Sequence, residues 1–95
     1  MKIKLYKNDL PKNLKFSKSV AIDTETMGLN HSRDRLCLVQ LSGGNNVCHL
    51  VKIENYLPKP VNLIRILKDK KILKIFHYAR FDVSIIKHTF NINIE

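Results

Sequence analysis

The chain has 95 residues and a mass of 11.1 kDa, 44% of them hydrophobic and 26% charged, a length that holds one domain and leaves no room for a second. No stretch approaches the ~18 consecutive apolar residues of a membrane span and the N-terminus lacks a signal-peptide pattern, so the expectation is a cytoplasmic protein without a membrane partner. Seventeen basic against eight acidic side chains give +9, the footprint of a protein that meets phosphates, although an AT-biased coding sequence also yields many Lys, Ile and Asn residues.

In chain order, the first 18 residues carry six Lys and one Asp around short apolar pairs, with Pro11 interrupting, which predicts an edge strand and loop. Ser19 to Ile22 is a short apolar run leading into Asp23-Thr24-Glu25-Thr26, and Met27-Gly28-Leu29-Asn30 ends it, so a strand closes near a turn. Arg35 to Ser42 is a continuous apolar run, Gly43-Gly44-Asn45-Asn46 a turn cluster, and Asn46 to Val51 resumes the apolar pattern, which predicts a hairpin. Pro58 and Pro60 punctuate the chain before Val61, Leu63, Ile64, Ile66 and Leu67, whose spacing is that of a helix of two to three turns. Ile72 to Phe76 favours a strand, and Phe81, Ile85, Ile86 and Phe90 mark one face of a last helix. The tail, Asn91 to Glu95, begins another β-favouring alternation, and the expectation is a domain cut in mid-fold. An antiparallel meander followed by a helical crossover into another strand is an α/β sheet with helices packed over it.

Cys37 and Cys48 are too few for a disulfide framework and sit in apolar runs, where a thiol acts as a small hydrophobe. A zinc site would need them with His31 and His49, which lack a paired short ligand spacing.

The carboxylates carry more. Asp23 and Glu25 stand two apart in a strand and so project from one face, where two acids repel unless a cation lies between them. Asp82 falls in the first turn of the last helix and shares a face with Ile85 and Ile86, so it should point inward at the sheet's edge. Each has a plain structural reading: a strand end with solvated acids, and an acid that favours a helix dipole. If the strand before the last helix lies parallel beside the one that carries Asp23, all three acids meet at one edge. Converging hard oxygen donors select Mg²⁺ or Mn²⁺, and with two ions roughly 3.5–4 Å apart phosphodiester hydrolysis follows.

These residues resemble a known family. Ala21-Ile22-Asp23-Thr24-Glu25-Thr26-Met27-Gly28-Leu29 is similar to the first motif of the DEDD superfamily of 3′-to-5′ exonucleases. Ile75-Phe76-His77-Tyr78-Ala79-Arg80-Phe81-Asp82 is similar to its second, and Arg33 to Leu41 resembles the second strand of the ribonuclease D branch. The resemblance implies a partial ribonuclease H-like α/β fold, a three-stranded antiparallel meander followed by helix-strand-helix, with residues 1–95 a truncated exonuclease domain. It further implies two divalent ions held by Asp23, Glu25 and Asp82 as catalytic acids, with Glu25 also approaching the terminal 3′ hydroxyl. Thr26, Met27 and Leu29 would bind the terminal nucleotide of a single-stranded 3′ end, RNA in preference to DNA, in RNA processing. His77 and Arg80 stay outside that set, as a strand-end histidine and a solvated arginine.

One departure stands out. The third motif of the family, with a fourth acid and a Tyr or His that orients water, is not found, since Glu95 is the only side-chain carboxylate after Asp82. The pair His77 and Asp82 mimics that motif's His-x4-Asp spacing but occupies the place of the second. The expectation is therefore an exonuclease fragment, weak or inert alone, completed by a separately encoded C-terminal half or a second copy. The alternatives are a non-catalytic nucleic-acid-binding module and a degenerate fragment.

Overall fold

A computed structural model describes residues 1–26, 35–77 and 79–95, residue 79 by its backbone alone. Its elements are β1 (Lys2–Lys7), β2 (Ser19–Thr26), β3 (Leu36–Ser42), β4 (Val47–Lys52), α1 (Val61–Lys68), β5 (Leu73–Phe76) and α2 (Ala79–Phe90). The strands and helices expected between Ser19 and Phe90 are present, within a residue or two of their expected ends. The strands form one five-stranded sheet in the order β1-β4-β3-β2-β5. The expected meander is β2-β3-β4, antiparallel throughout, and β5 lies parallel to β2 on its free side. The N-terminal segment is an edge strand, as expected, and it adds a fifth strand to the meander by pairing in parallel with β4.

The strands alternate because one face of the sheet is covered. Val20 and Ile22 of β2, Val39 and Leu41 of β3, and Val51 of β4 are fully buried beneath the helices. Leu63, Ile66 and Leu67 bring α1 to this core at helical spacing, and Ile85, Ile86 and Phe90 bring α2. Gly44 (φ +83°) and Asn46 (φ 65°) take left-handed conformations in the β3–β4 turn. A side chain on Gly43 would strike the Phe16 ring at 2.9 Å.

Helix α1 begins after Pro60, which offers no side-chain cap, and its first turn holds no acid of its own. Asp9 supplies the cap from the loop after β1. Its Oδ1 accepts from Leu63 N–H at 2.9 Å, and its Oδ2 from Asn62 N–H at 3.1 Å and Asn62 Nδ2 at 3.2 Å. A carboxylate here satisfies free amides at the positive end of the helix and ties the N-terminal loop to the core.

The tail departs from its β-favouring pattern. Asn91 turns the chain at φ 57° and its N–H bonds to Lys87 O at 2.8 Å, ending α2 with a left-handed residue. Ile92 and Ile94 then pack on the core and Glu95 N–H reaches Leu67 O at 3.1 Å, so burial against the end of α1 overrides the strand propensity.

Candidate active site

Because β5 runs parallel to β2, both strands end at the same edge of the sheet, and α2 starts there. Period two along β2 sorts its last residues between the two faces. Val20, Ile22 and Thr24 point to the helices, whereas Ala21, Asp23 and Glu25 point to the open face. Asp23 stands opposite Gln40 and Glu25 opposite Leu38, with a register shift between Glu25 and Thr26 that marks a bulge at the strand's end.

Asp82 is where the sequence placed it, in the first turn of α2 and pointing inward, and only 1% exposed. Its contact on β2 is Thr24, whose buried hydroxyl donates to Asp82 Oδ1 in a short hydrogen bond. The expected meeting of three acids therefore takes another form. Asp82 packs against the residue between Asp23 and Glu25, reached from the helix side. Among the described residues no group of three His, Cys, Asp or Glu side chains lies close enough to hold a metal ion. Asp23 is half-buried, and its Oδ1 accepts from Thr24 N–H at 2.9 Å. Glu25 is exposed, and its backbone carbonyl accepts from the Cys37 thiol at 3.3 Å.

Thr26 is half-buried at the end of β2, while Met27 and Leu29 lie outside the described residues. His77 and Arg80 are exposed where β5 passes into α2. Thr24 is the residue that sequence reading passed over. Its signal was present, since it continues the inward series Val20, Ile22 and so must meet whatever helix covers that face.

A depression of about 340 Å³ lies beside Asp23, lined by Ala21, Asp23, Gln40, Ser42, Cys48 and His77 among others. That is within the size range of small-ligand sites. Cys37 and Cys48 are both free thiols, half-buried at opposite ends of the β3–β4 pair.

A second cluster lies toward the other edge of the sheet. His49 on β4 is buried, stacks on Tyr6 at 5.8 Å, meets Phe16 edge-on at 5.8 Å, and bonds to the Tyr6 hydroxyl through Nδ1 at 3.0 Å. Burial holds its pKa below the ordinary histidine value, and Lys4 adds to the effect. Among the described residues no helix is long and apolar enough to cross a membrane.

The comparisons with known proteins bear on the family and the fold. A family model described as a 3′-5′ exonuclease matches residues 6–95. The structure of Brucella melitensis NrnC superposes with a TM-score of 0.91 at 45% identity, covering 100% of this chain and 47% of that one. NrnC is also known bound to pGG and with bound Mg²⁺. The apo form of a nuclease matches at TM-score 0.93 and 37% identity, again over 100% and 47% of the two chains. Escherichia coli RNase D, an exoribonuclease involved in structured RNA processing, matches at TM-score 0.66 and 25% identity over 84% of this chain and 20% of its own. No curated protein matches. The chain thus spans about half the length of the two nucleases it resembles throughout. Its mixed sheet and two helices are part of a ribonuclease H-like α/β fold. A match over nearly the whole chain makes this protein a member of the 3′-5′ exonuclease domain family in the DEDD superfamily.

Proposed function

We propose that this chain is the part of a ribonuclease D-like 3′-5′ exonuclease that carries the first two acid motifs, and that it needs a complementing part for turnover. The observation that supports this best is the pairing of Asp82 with Thr24, which holds the start of α2 against the middle of the Asp23-Thr24-Glu25 triplet. Asp23, Glu25 and Asp82 offer the hard carboxylate oxygens that a divalent cation takes, but from opposite sides of Thr24, so they would hold a cation together only in the assembled domain. Mg²⁺ or Mn²⁺ held there, two ions in the intact domain, would supply Lewis acidity toward the phosphodiester and make a bound water more acidic. The protein's own groups bind and orient. The Thr24 N–H fixes one oxygen of Asp23, and Glu25 reaches from the exposed face toward the terminal 3′ hydroxyl. Thr26, Met27 and Leu29 take up the terminal nucleotide. The NrnC complex with pGG supports a nucleic-acid substrate, and the likeness to RNase D, an exoribonuclease, favours RNA over DNA.

The matched nucleases are about twice as long, so the fourth acid and the water-orienting residue are assigned to a complementing half or a second copy. The test uses 5′-labelled single-stranded RNA with Mn²⁺, a 3′-blocked control, and this chain alone or co-purified with the remainder of a matched nuclease. The expected result is near-inertness alone and stepwise 3′ shortening by the pair, lost in Asp23→Asn and on the blocked substrate. Shortening that survives Asp23→Asn, or internal cleavage, overturns the proposal. The net charge of +9 favours one second reading, a nucleic-acid-binding module. Its mark is salt-steep RNA binding by the pair without turnover.

A further inference from the structure

The positive charge of the chain is concentrated in two segments. Residues 10–22 and 61–76 together carry eight basic side chains and one acid, Asp69, whereas the remaining residues are nearly balanced, with nine basic and seven acidic side chains. A bias in coding composition acts on the whole chain and would not divide it in this way. The fold then lays the two segments side by side. Arg65 of α1 donates to Lys12 O at 3.1 Å and Leu14 O at 3.5 Å, and Leu73 N–H, at the start of β5, donates to Lys18 O at 2.9 Å. The loop from Lys12 to Lys18 thus runs along α1, and two basic series lie in step. Lys12, Lys15 and Lys18 come from the loop, and Arg65, Lys68 and Lys71 from α1 and the turn after it.

All six side chains are exposed, and among the described residues none of them is in an ion pair. The two other basic groups of these segments are engaged, Lys70 with Glu95 at 3.9 Å and Lys74 with the carbonyls of Asp69 and Glu95. Asp69 is half-buried, and its Oδ1 accepts from Lys71 N–H at 2.9 Å. The dipole of α1 accounts for Arg65 and Lys68 in its last turn, but gives no reason for three lysines on a separate loop. Six like charges side by side repel one another and lower their energy by meeting an anion of repeated charge.

We infer that this strip is a contact for the phosphate backbone of a nucleic-acid strand, separate from the acidic residues. Lys18 immediately precedes β2 and stands five residues before Asp23, roughly 17 Å along the chain at about 3.3 Å per residue. The strip therefore holds nucleotides other than one at the acids. Membership of an exonuclease family makes a nucleic acid the polyanion, in preference to an anionic membrane. Leu14 and Phe16, which alternate with the lysines of the loop, pack on the core, so the grip is on phosphates and carries no base preference. The inference goes beyond the proposed exonuclease reading, because it concerns where a strand is held, whether or not it is cut.

The test measures binding of this chain to a labelled single-stranded RNA of about 20 nucleotides by fluorescence anisotropy, in EDTA so that no strand is cut, over a series of salt concentrations. Lys15→Gln, Lys18→Gln and Lys71→Gln combined should weaken binding at least about tenfold and reduce the slope of log affinity against log salt by about 2, since each single-strand phosphate contact contributes about 0.7. Lys7→Gln, Lys52→Gln and Lys59→Gln combined removes the same charge at the opposite end of the sheet and should weaken binding by less than about threefold. Circular dichroism melting shows whether each variant folds, and the single substitutions, each worth about 0.7 of slope, carry the test should a triple variant unfold. Equal losses from the two triple variants overturn the inference, because net charge and not the strip then binds. So does an absence of RNA binding by the unsubstituted chain. Binding to phosphatidylglycerol vesicles but not to RNA, abolished by the strip variant, also overturns it and makes a membrane surface the partner. Strip-dependent RNA binding by this chain, with no turnover by the complemented pair, keeps the strip and rejects the exonuclease reading.

Discussion

Replacing Thr24 by Val removes the hydroxyl that donates to Asp82 and keeps the shape of the side chain. Thr24 is 7% exposed and Asp82 1%, so water has little access to replace the bond. Leaving a buried acceptor oxygen without its donor costs about 1–3 kcal/mol. The added methyl of Val recovers up to about 0.8 kcal/mol. The expected net loss is about 1–2 kcal/mol, which in a domain of this size lowers Tm by roughly 5–15 °C. Thr24→Ser is the decisive companion, because it keeps the hydroxyl and loses a methyl worth about 0.8 kcal/mol. If the hydrogen bond holds α2 to β2, Val is the more damaging substitution. If Thr24 acts only as core filling, Ser is. Urea denaturation followed by circular dichroism gives both values on one scale, and a Thr24→Ser variant less stable than Thr24→Val would refute the reasoning.

Asp9→Ala should cost about 1–2 kcal/mol, since it strips the cap from α1 across a long-range contact, and Asp9→Asn should lose less because an acceptor oxygen remains. The same denaturation curves check this. His49 has a folded pKa below its unfolded value, so the unfolded chain binds the extra proton, and the stability His49 contributes is present above about pH 6.5 and lost as pH falls through the lowered value. His49→Phe should flatten the stability difference between pH 7 and pH 5; an unchanged slope rejects that assignment. Asp23→Asn and Glu25→Gln should leave the stability of the chain unchanged or raise it by up to about 0.5 kcal/mol, since they relieve like-charge repulsion on one strand face, while weakening Mn²⁺ binding by the complemented pair in calorimetry.

How much was legible in the sequence depended on how local each cause is. The β3–β4 hairpin was readable from Gly43-Gly44-Asn45-Asn46, because Gly44 and Asn46 supply the left-handed conformations that the turn needs. Helix α1 was readable from Leu63, Ile66 and Leu67, but its cap was not, since Asp9 lies 53 residues before Asn62 and only the folded loop brings them together. The parallel pairing of β1 with β4 was hidden for the same reason. In the tail, the alternation of Ile92 and Ile94 was real but served packing on the core instead of a ladder. The acids were singled out by type and spacing, and the inward placement of Asp82 followed from its helical face. The missing step was to apply the period of the strand to Thr24.

The alternation of β2 divides the labour of the site. Thr24 and Asp82 face the core and hold β2 and α2 together, while Asp23 and Glu25 face outward, where their charges meet solvent. Half of a nuclease domain can thus keep its two acid motifs in register, because the connection between them lies inside its own core and not in the part that the matched nucleases add.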